Sequence, residues 1–326
     1  MHSDARSLPP LAGTPQVTSS HPRLDALVQQ ARTHAAGDPP AIGLVYPCDA
    51  LALGAAVQIA SSGVARPVLI GPKSGIERAA QDAAIALPNF EIIDTRDDPR
   101  QAAQMATQLV RAGGARALMK GSLHTDELMS AVVDKVDGLR GTRRISHAFV
   151  FDLPRYHKLL TLADCVVNIA PNLTTKRDIL SNAIELLDAL GIERPHVGIV
   201  AAVETINPAI PATVDAQALV EMARTGHWAH CVVEGPFGFD NAFSGEAART
   251  KKINSPVPGN ADLLLMPDLN AGNMLYKSFN YVGGGDCAGV VLGAVVPIVI
   301  TSRADSLASR LASAALAVLS AASQRR

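Results

Sequence analysis

One pattern recurs along this chain. A short run of Val, Ile, Leu and Ala meets a turn, and an alanine-rich stretch with helical apolar spacing follows. Strand-like runs stand at 41–47 ("AIGLVYP"), 66–71, 90–94, 116–121 and 147–152, with helical stretches between them near 49–62, 74–86, 99–113 and 124–136. A strand that is apolar at almost every position is buried on both faces, and helices between such strands cross over to the next. The expected fold is therefore α/β with a mostly parallel sheet. The rhythm continues through 164–170 ("DCVVNIA"), 196–203, 230–235, 261–267, 289–294 and 296–300. Eleven strands exceed one comfortable sheet, and 326 residues exceed one ordinary core. The reading is two α/β units, divided after about residue 152. Pattern alone leaves the last two strands and the last helix open: they can finish the second unit or return to the first.

Composition narrows the function. Aromatic residues are only 4% of the chain, while hydrophobic residues are 48%. That suits helices packed tightly on sheets better than a stacking surface for bases. With a net charge of −1, no general attraction to nucleic acid or anionic lipid is expected. Cys48, Cys165, Cys231 and Cys287 lie far apart with no C-x-x-C pair, which reads as reduced thiols of a cytoplasmic protein. His196, His227 and His230 stand singly, so no zinc site is expected. No apolar stretch reaches membrane-spanning length. Residues 1–22, rich in Pro, Ser and Thr, read as a flexible tail without the apolar centre of a signal peptide.

In a parallel sheet the chemistry gathers at the carboxyl ends of strands; four such loops carry suitable groups, and so does one segment that leads into a strand. "KGSLHTDEL" sets Lys120, Gly121, Ser122 and Thr125 before a helix. It is either an ordinary helix start or an anion site on unpaired N–H groups. Arg140, Arg143 and Arg144 precede a strand, as a solvated face or a phosphate clamp. "MPDLNAGNMLYKSFNYVGGGDCAG" brings Asp268, Asn270 and Asn273 to a helix entry, with Lys277 further along. Its three glycines do not follow the G-x-G-x-x-G spacing of a dinucleotide turn. "VEGPFGFDNAFS" places Asp240 and Asn241 before a helix, as caps or as site residues. Finally, in "ITSRADS", Ser302, Asp305 or Ser306 can each cap the last helix. Arg303 is no cap, because a cation opposes the dipole at a helix N-terminus unless an anion binds beside it. Neither a G-x-S-x-G elbow nor a G-x-x-x-x-G-K-[ST] loop is present.

Taken together, "KGSLHTDELM", "SHAFVFD", "VVNIAPNL", "AAVETINPAIPATVDAQAL", "VEGPFGFDNAFSGEAA", "NSPVPGNADLLLMPDLNAGNMLYKSFNY" and "AGVVLGAVVPIVITSRADS" resemble the phosphate acetyl/butyryltransferase (phosphotransacetylase) family. The likeness runs from about residue 40 to 320 and includes the acetyltransferase module of bifunctional enoyl-CoA hydratase fusions. It implies reversible transfer of a short acyl group, acetyl first and butyryl as the alternative, between coenzyme A and inorganic phosphate. Both are substrates; no tightly bound cofactor or metal is implied. It also implies two α/β/α domains like those of isocitrate and isopropylmalate dehydrogenases, with the active cleft between them. Domain I would be 23–152 plus 289–326, with 153–288 inserted as domain II, and the protein a homodimer.

The resemblance also assigns roles. Ser302 and Arg303 match the family's Ser-Arg pair, with Arg303 on the phosphoryl group and Ser302 on the oxyanion. Typical acetyltransferases carry the following aspartate several residues later, so Asp305 is either the base or a helix cap. Arg144 becomes a second anion ligand. Lys120, Ser122, Asn273, Lys277 and Asp240 are further substrate-binding candidates. A protein that binds coenzyme A or acyl phosphate without turnover is the alternative from another class.

Overall fold

The computed structural model describes residues 21–87, 90–302 and 305–323. Its strands are β1 (Ala41–Val45), β2 (Arg66–Gly71), β3 (Glu91–Asp94), β4 (Ala117–Lys120), β5 (Ser146–Asp152), β6 (Leu160–Ala163), β7 (His196–Val200), β8 (Val232–Phe237), β9 (Leu263–Leu265), β10 (Asp286–Leu292) and β11 (Ile298–Val299). Its helices are α1 (Pro22–His34), α2 (Ala50–Ser62), α3 (Lys73–Asp82), α4 (Pro99–Arg111), α5 (Thr125–Val132), α6 (Leu173–Ala189), α7 (Pro211–Arg224), α8 (Phe239–Phe243), α9 (Gly245–Thr250), α10 (Leu269–Tyr281) and α11 (Leu307–Ser323).

The strands join in a single sheet ordered β3-β2-β1-β4-β11-β10-β5-β6-β9-β7-β8. Seven of the pairings are parallel. The exceptions, β11–β10, β10–β5 and β5–β6, are antiparallel and lie at the centre. This corrects the expectation that eleven strands need two separate sheets. The long β5–β10 ladder, from Asp286 opposite Asp152 to Leu292 opposite Ser146, stitches the two parallel halves together. Near the end of the chain, β11 lies beside β4 and β10 beside β5.

Helices cover both faces, as strands this apolar require. One face packs against α1, α2, α3, α6, α7 and α11, with α11 buried deeply among α1, α2 and α6. The other is closed by α4 and α5 over the first half and by α8 and α10 over the second.

The expected strand at 164–170 is instead a turn, and the strand lies just before it at β6. Asp164 is the cause. Its Oδ1 accepts from the backbone N–H of Val166 (2.8 Å) and Val167 (3.0 Å), and Oδ2 accepts from that of Asn168 (3.2 Å). A carboxylate that gathers three successive amides curls the chain and withholds those donors from a ladder.

Candidate active site

Because β1, β4 and β11 run parallel and adjacent, the loops after them open on the same edge of the sheet. The loop from β11 to α11 holds the "TSRADS" groups. Arg303, the residue expected to grip phosphate, lies outside the described residues. Around it the geometry is specific. The Ser302 backbone N–H donates to Asp305 Oδ2 at 2.7 Å, and the Asp305 N–H donates back to the Ser302 carbonyl at 3.2 Å. The α11 cap is Ser306, whose Oγ accepts from the Ser309 N–H at 3.0 Å. Asp305 therefore turns back across its own loop and away from the helix N-terminus.

Burial raises the Asp305 carboxyl above the usual aspartate range of about 3.8. The Ser302 N–H and the charges of Arg310 and Lys120 pull the other way, while Asp286 adds to the rise. A carboxylate held above its ordinary value is a stronger base at neutral pH.

Two cations frame this loop. Lys120 closes β4, is 8% exposed, and donates from Nζ to the carbonyls of Leu123 (3.0 Å) and Gly121 (3.2 Å). Arg310 sits one turn into α11, 4% exposed, and braces the loop from beneath. Its Nη1 donates to Thr301 Oγ1 at 2.7 Å, Nη2 to the Ser302 carbonyl at 2.7 Å, and Nε to the Asp305 carbonyl at 3.4 Å. One planar guanidinium thus spans the start and end of the loop.

Ser122 serves the frame. Its Oγ donates to the Tyr46 carbonyl at 2.8 Å and accepts from the Cys48 N–H at 3.1 Å, tying the loop after β4 to the loop after β1. Gly121 permits this approach, since a Cβ there would stand 2.5 Å from the Val45 carbonyl oxygen. The α5 entry is an ordinary helix start: Glu127 Oε2 accepts from the His124 N–H at 2.8 Å.

A second wall comes from β5, the turn after β6, and α10. The three arginines separate. Arg143 pairs with Glu185, Arg140 donates to the Val133 carbonyl, and Arg144 alone turns to the Asp164 turn. Arg144 Nε donates to Asn168 Oδ1 at 3.1 Å, while buried Asn168 donates from Nδ2 to Asp164 Oδ2 (2.7 Å) and the Ile145 carbonyl (3.0 Å). Asn273 on α10 joins the same turn, donating from Nδ2 to the Cys165 carbonyl at 3.1 Å. Tyr276 lies one turn on; burial first and then the Asp305 carboxylate raise its phenol, with Cys287, Tyr281 and Cys165 adding to the effect. Lys277 is exposed, its Nζ 6.0 Å from the Tyr276 ring centre. Asp240 belongs to a different cluster, 3.5 Å from Lys251, which also pairs with Glu204 at 3.1 Å.

A family profile described as phosphate acetyl/butaryl transferase matches residues 96–318. The phosphate acetyltransferase of Rhizobium meliloti is 48% identical over 304 residues, 93% of this chain and 95% of the relative. The chain belongs to the phosphate acetyl/butyryltransferase family. A branched-chain phosphotransacylase from Enterococcus faecalis V583 matches in structure with a TM-score of 0.76 at 28% identity, covering 86% of this chain and 99% of that one. A 4-hydroxythreonine-4-phosphate dehydrogenase from Salmonella typhimurium, described as putative, shares the fold (TM-score 0.52, 15% identical, 86% and 99% covered). The α/β architecture of this transferase family thus extends to a dehydrogenase.

Sequence reading missed three residues of the candidate site. Arg310 is a lone charge in an alanine- and leucine-rich helix, which is its signal. Asn168 was hidden inside an apolar run taken for a strand, and Tyr276 among helix residues with no motif. Among the described residues, no group of three His, Cys, Asp or Glu could hold a metal ion, and no helix is long and apolar enough to cross a membrane.

Proposed function

We propose that the protein transfers a short acyl group, acetyl by preference, between coenzyme A and inorganic phosphate. The observation that carries this reading is Asp305: a carboxylate raised by burial, released from helix capping by Ser306, and seated on Ser302. A coenzyme A thiol ionises near pH 8.5, so near neutrality most of it is protonated and needs a base.

In the direction of thioester formation, Asp305 takes the thiol proton and the sulfur attacks the acyl carbon of the acyl phosphate. The tetrahedral intermediate carries its negative charge on the former carbonyl oxygen. That intermediate collapses by breaking the bond to phosphate, which leaves with the electron pair. The Ser302 backbone N–H is already engaged by Asp305, so stabilising the oxyanion falls to the Ser302 hydroxyl. Losing one such donor costs about 10²–10³ in rate. Arg303 grips the phosphoryl group, and Lys120 and Arg144 are further ligands for the anion. Asn273 fixes the wall to which Arg144 is tied. Ser122 acts through the loop it braces, and Lys277 and Asp240 are left to outlying parts of coenzyme A.

On this reading the cleft separates domain I (23–152 plus 289–326) from domain II (153–288), supported by the pairing of β11 with β4 and of β10 with β5. The protein is a cytoplasmic homodimer. Support for the dimer comes from α10, where Met274 (64% exposed) and Tyr281 (76%) lie on one helical face that continues to Val282 (86%).

The test is the pH dependence of kcat/KM. A base works only when ionised, so activity falls as pH drops and Asp305 takes up a proton. Because its carboxyl is raised, that limb lies above the range of an ordinary aspartate. Asp305→Asn is expected to lower kcat about 10²–10⁴-fold and to remove the limb. A variant that keeps wild-type turnover shows that Asp305 is not the base. One that binds coenzyme A equally well, beside a wild type that also lacks turnover, points to a binding protein instead.

A further inference from the structure

β5 lies mid-sheet between β10 and β6, and six of its seven residues are buried; the exception is Phe149. An aromatic ring left partly open in a central strand marks a place where the helical layer does not close over the sheet. The Phe149 ring stacks on Tyr276 with ring centres 4.5 Å apart and an interplanar angle of 23°. His147 backs it at 4.3 Å. Neither nitrogen of His147 has a partner among the described residues, and burial pushes its pKa down to about 4, so it packs as a neutral ring.

Directly opposite Phe149 in the β5–β10 register stands Gly289. A Cβ there would come within 2.8 Å of Phe149 Cε1 and 3.1 Å of His147 Cε1. The glycine lets the ring lie over β10 and hold its place under Tyr276. Tyr276 stands one helical turn beyond Asn273, which holds the Cys165 carbonyl of the Asp164 turn, and β10 reaches the loop before α11 through Asp286 Oδ1, which accepts from Ser309 Oγ at 2.7 Å beside the Ser306 cap. An apolar aromatic wall therefore stands on the strands and the helix that frame the candidate site.

We propose that the Phe149–Tyr276 stack is the wall against which the alkyl end of the acyl group packs, and that it limits the chain length the enzyme accepts. This rests on the acyltransferase reading above. The acyl carbon must lie where the Asp305-activated sulfur can reach it, so the alkyl end needs apolar surface within a few ångströms. The stack supplies it. The two rings are fixed by a glycine on one side and a helix on the other, and on this proposal a methyl group packs against them as they stand. A propyl chain has to displace one of them.

The experiment compares kcat/KM for acetyl phosphate and butyryl phosphate in wild type, Phe149→Ala, Phe149→Leu and Tyr276→Phe. Each methylene in an apolar pocket is worth roughly tenfold to a hundredfold in selectivity. The butyryl-to-acetyl ratio should therefore rise at least about tenfold in Phe149→Ala. It should rise by a smaller factor in Phe149→Leu, and stay at the wild-type value in Tyr276→Phe, which keeps the stack. If the alanine variant does not fold, the leucine variant is read the same way. A ratio within twofold of wild type in the folded Phe149 variants overturns the wall, whatever happens to the absolute rates, because a merely structural ring would lower both substrates alike. Absence of any transfer in wild type is a different failure, that of the acyltransferase reading itself.

Discussion

At the residue scale, the loop after β11 divides its labour among three neighbours. Ser306 caps, Ser302 holds Asp305, and Asp305 keeps a raised carboxyl. The rise has a consequence for stability as well as rate. A carboxyl whose folded pKa exceeds its unfolded value contributes stability below about pH 3.8. That contribution is lost as pH rises through the folded value. At pH 7 the ionised group is therefore a cost that the fold carries. Asp305→Asn should unfold at a temperature no lower than wild type at pH 7 while losing turnover; a clear drop in Tm would mean that the carboxylate is structural. Ser306→Ala has the opposite character. Removing a cap costs about 1 kcal/mol, read as a lower urea midpoint. The sequence showed three residues able to cap, and only the direction of the Asp305 side chain separates them. That direction depends on backbone angles set by the whole loop, which spacing does not encode.

At the element scale, α11 is both a core helix and the support of the site. It is buried along most of its length, and Arg310 is the charge it carries into that environment. Burial lowers the Arg310 pKa against the opposing charges of Asp305 and Asp49, and the fork serves Thr301 and Ser302. Arg310→Ala is expected to cost about 1.5–3 kcal/mol in chemical denaturation and to lower kcat/KM by loosening the loop. Arg310→Lys restores charge without the planar fork and should recover stability better than activity. Equal recovery of both would show that charge alone suffices. The elements themselves were largely legible: apolar runs located ten of the strands to within a few residues. The eleventh was displaced because Asp164 turns "DCVVN" with its own carboxylate, a local hydrogen-bond choice that overrides apolar periodicity. Arg144 could be picked out from Arg140 and Arg143 only once Asn168, far away in sequence, was in place.

At the scale of the whole molecule, one sheet runs through the protein, with antiparallel β5 and β10 at its centre and β3 and β8 at its edges. Counting strands suggested two sheets because nothing in the pattern of a single strand reveals a partner more than a hundred residues away. Amide hydrogen exchange should be slowest in β5 and β10 and fastest in β3 and β8, since edge strands open without breaking the central ladder. Faster exchange at the centre would mean that the two halves part there. The same topology delivers Lys120, Ser302 and Asp305 from strands distant in sequence to one edge. The most direct test of the function drawn from that convergence is thioester formation from acetyl phosphate and coenzyme A by the purified protein with a metal chelator present. The account predicts steady formation of acetyl-coenzyme A with equal release of phosphate, largely abolished in Arg303→Ala and Asp305→Asn. Folded wild-type protein that forms no thioester, or an Arg303→Ala variant with unchanged kinetics, would contradict it.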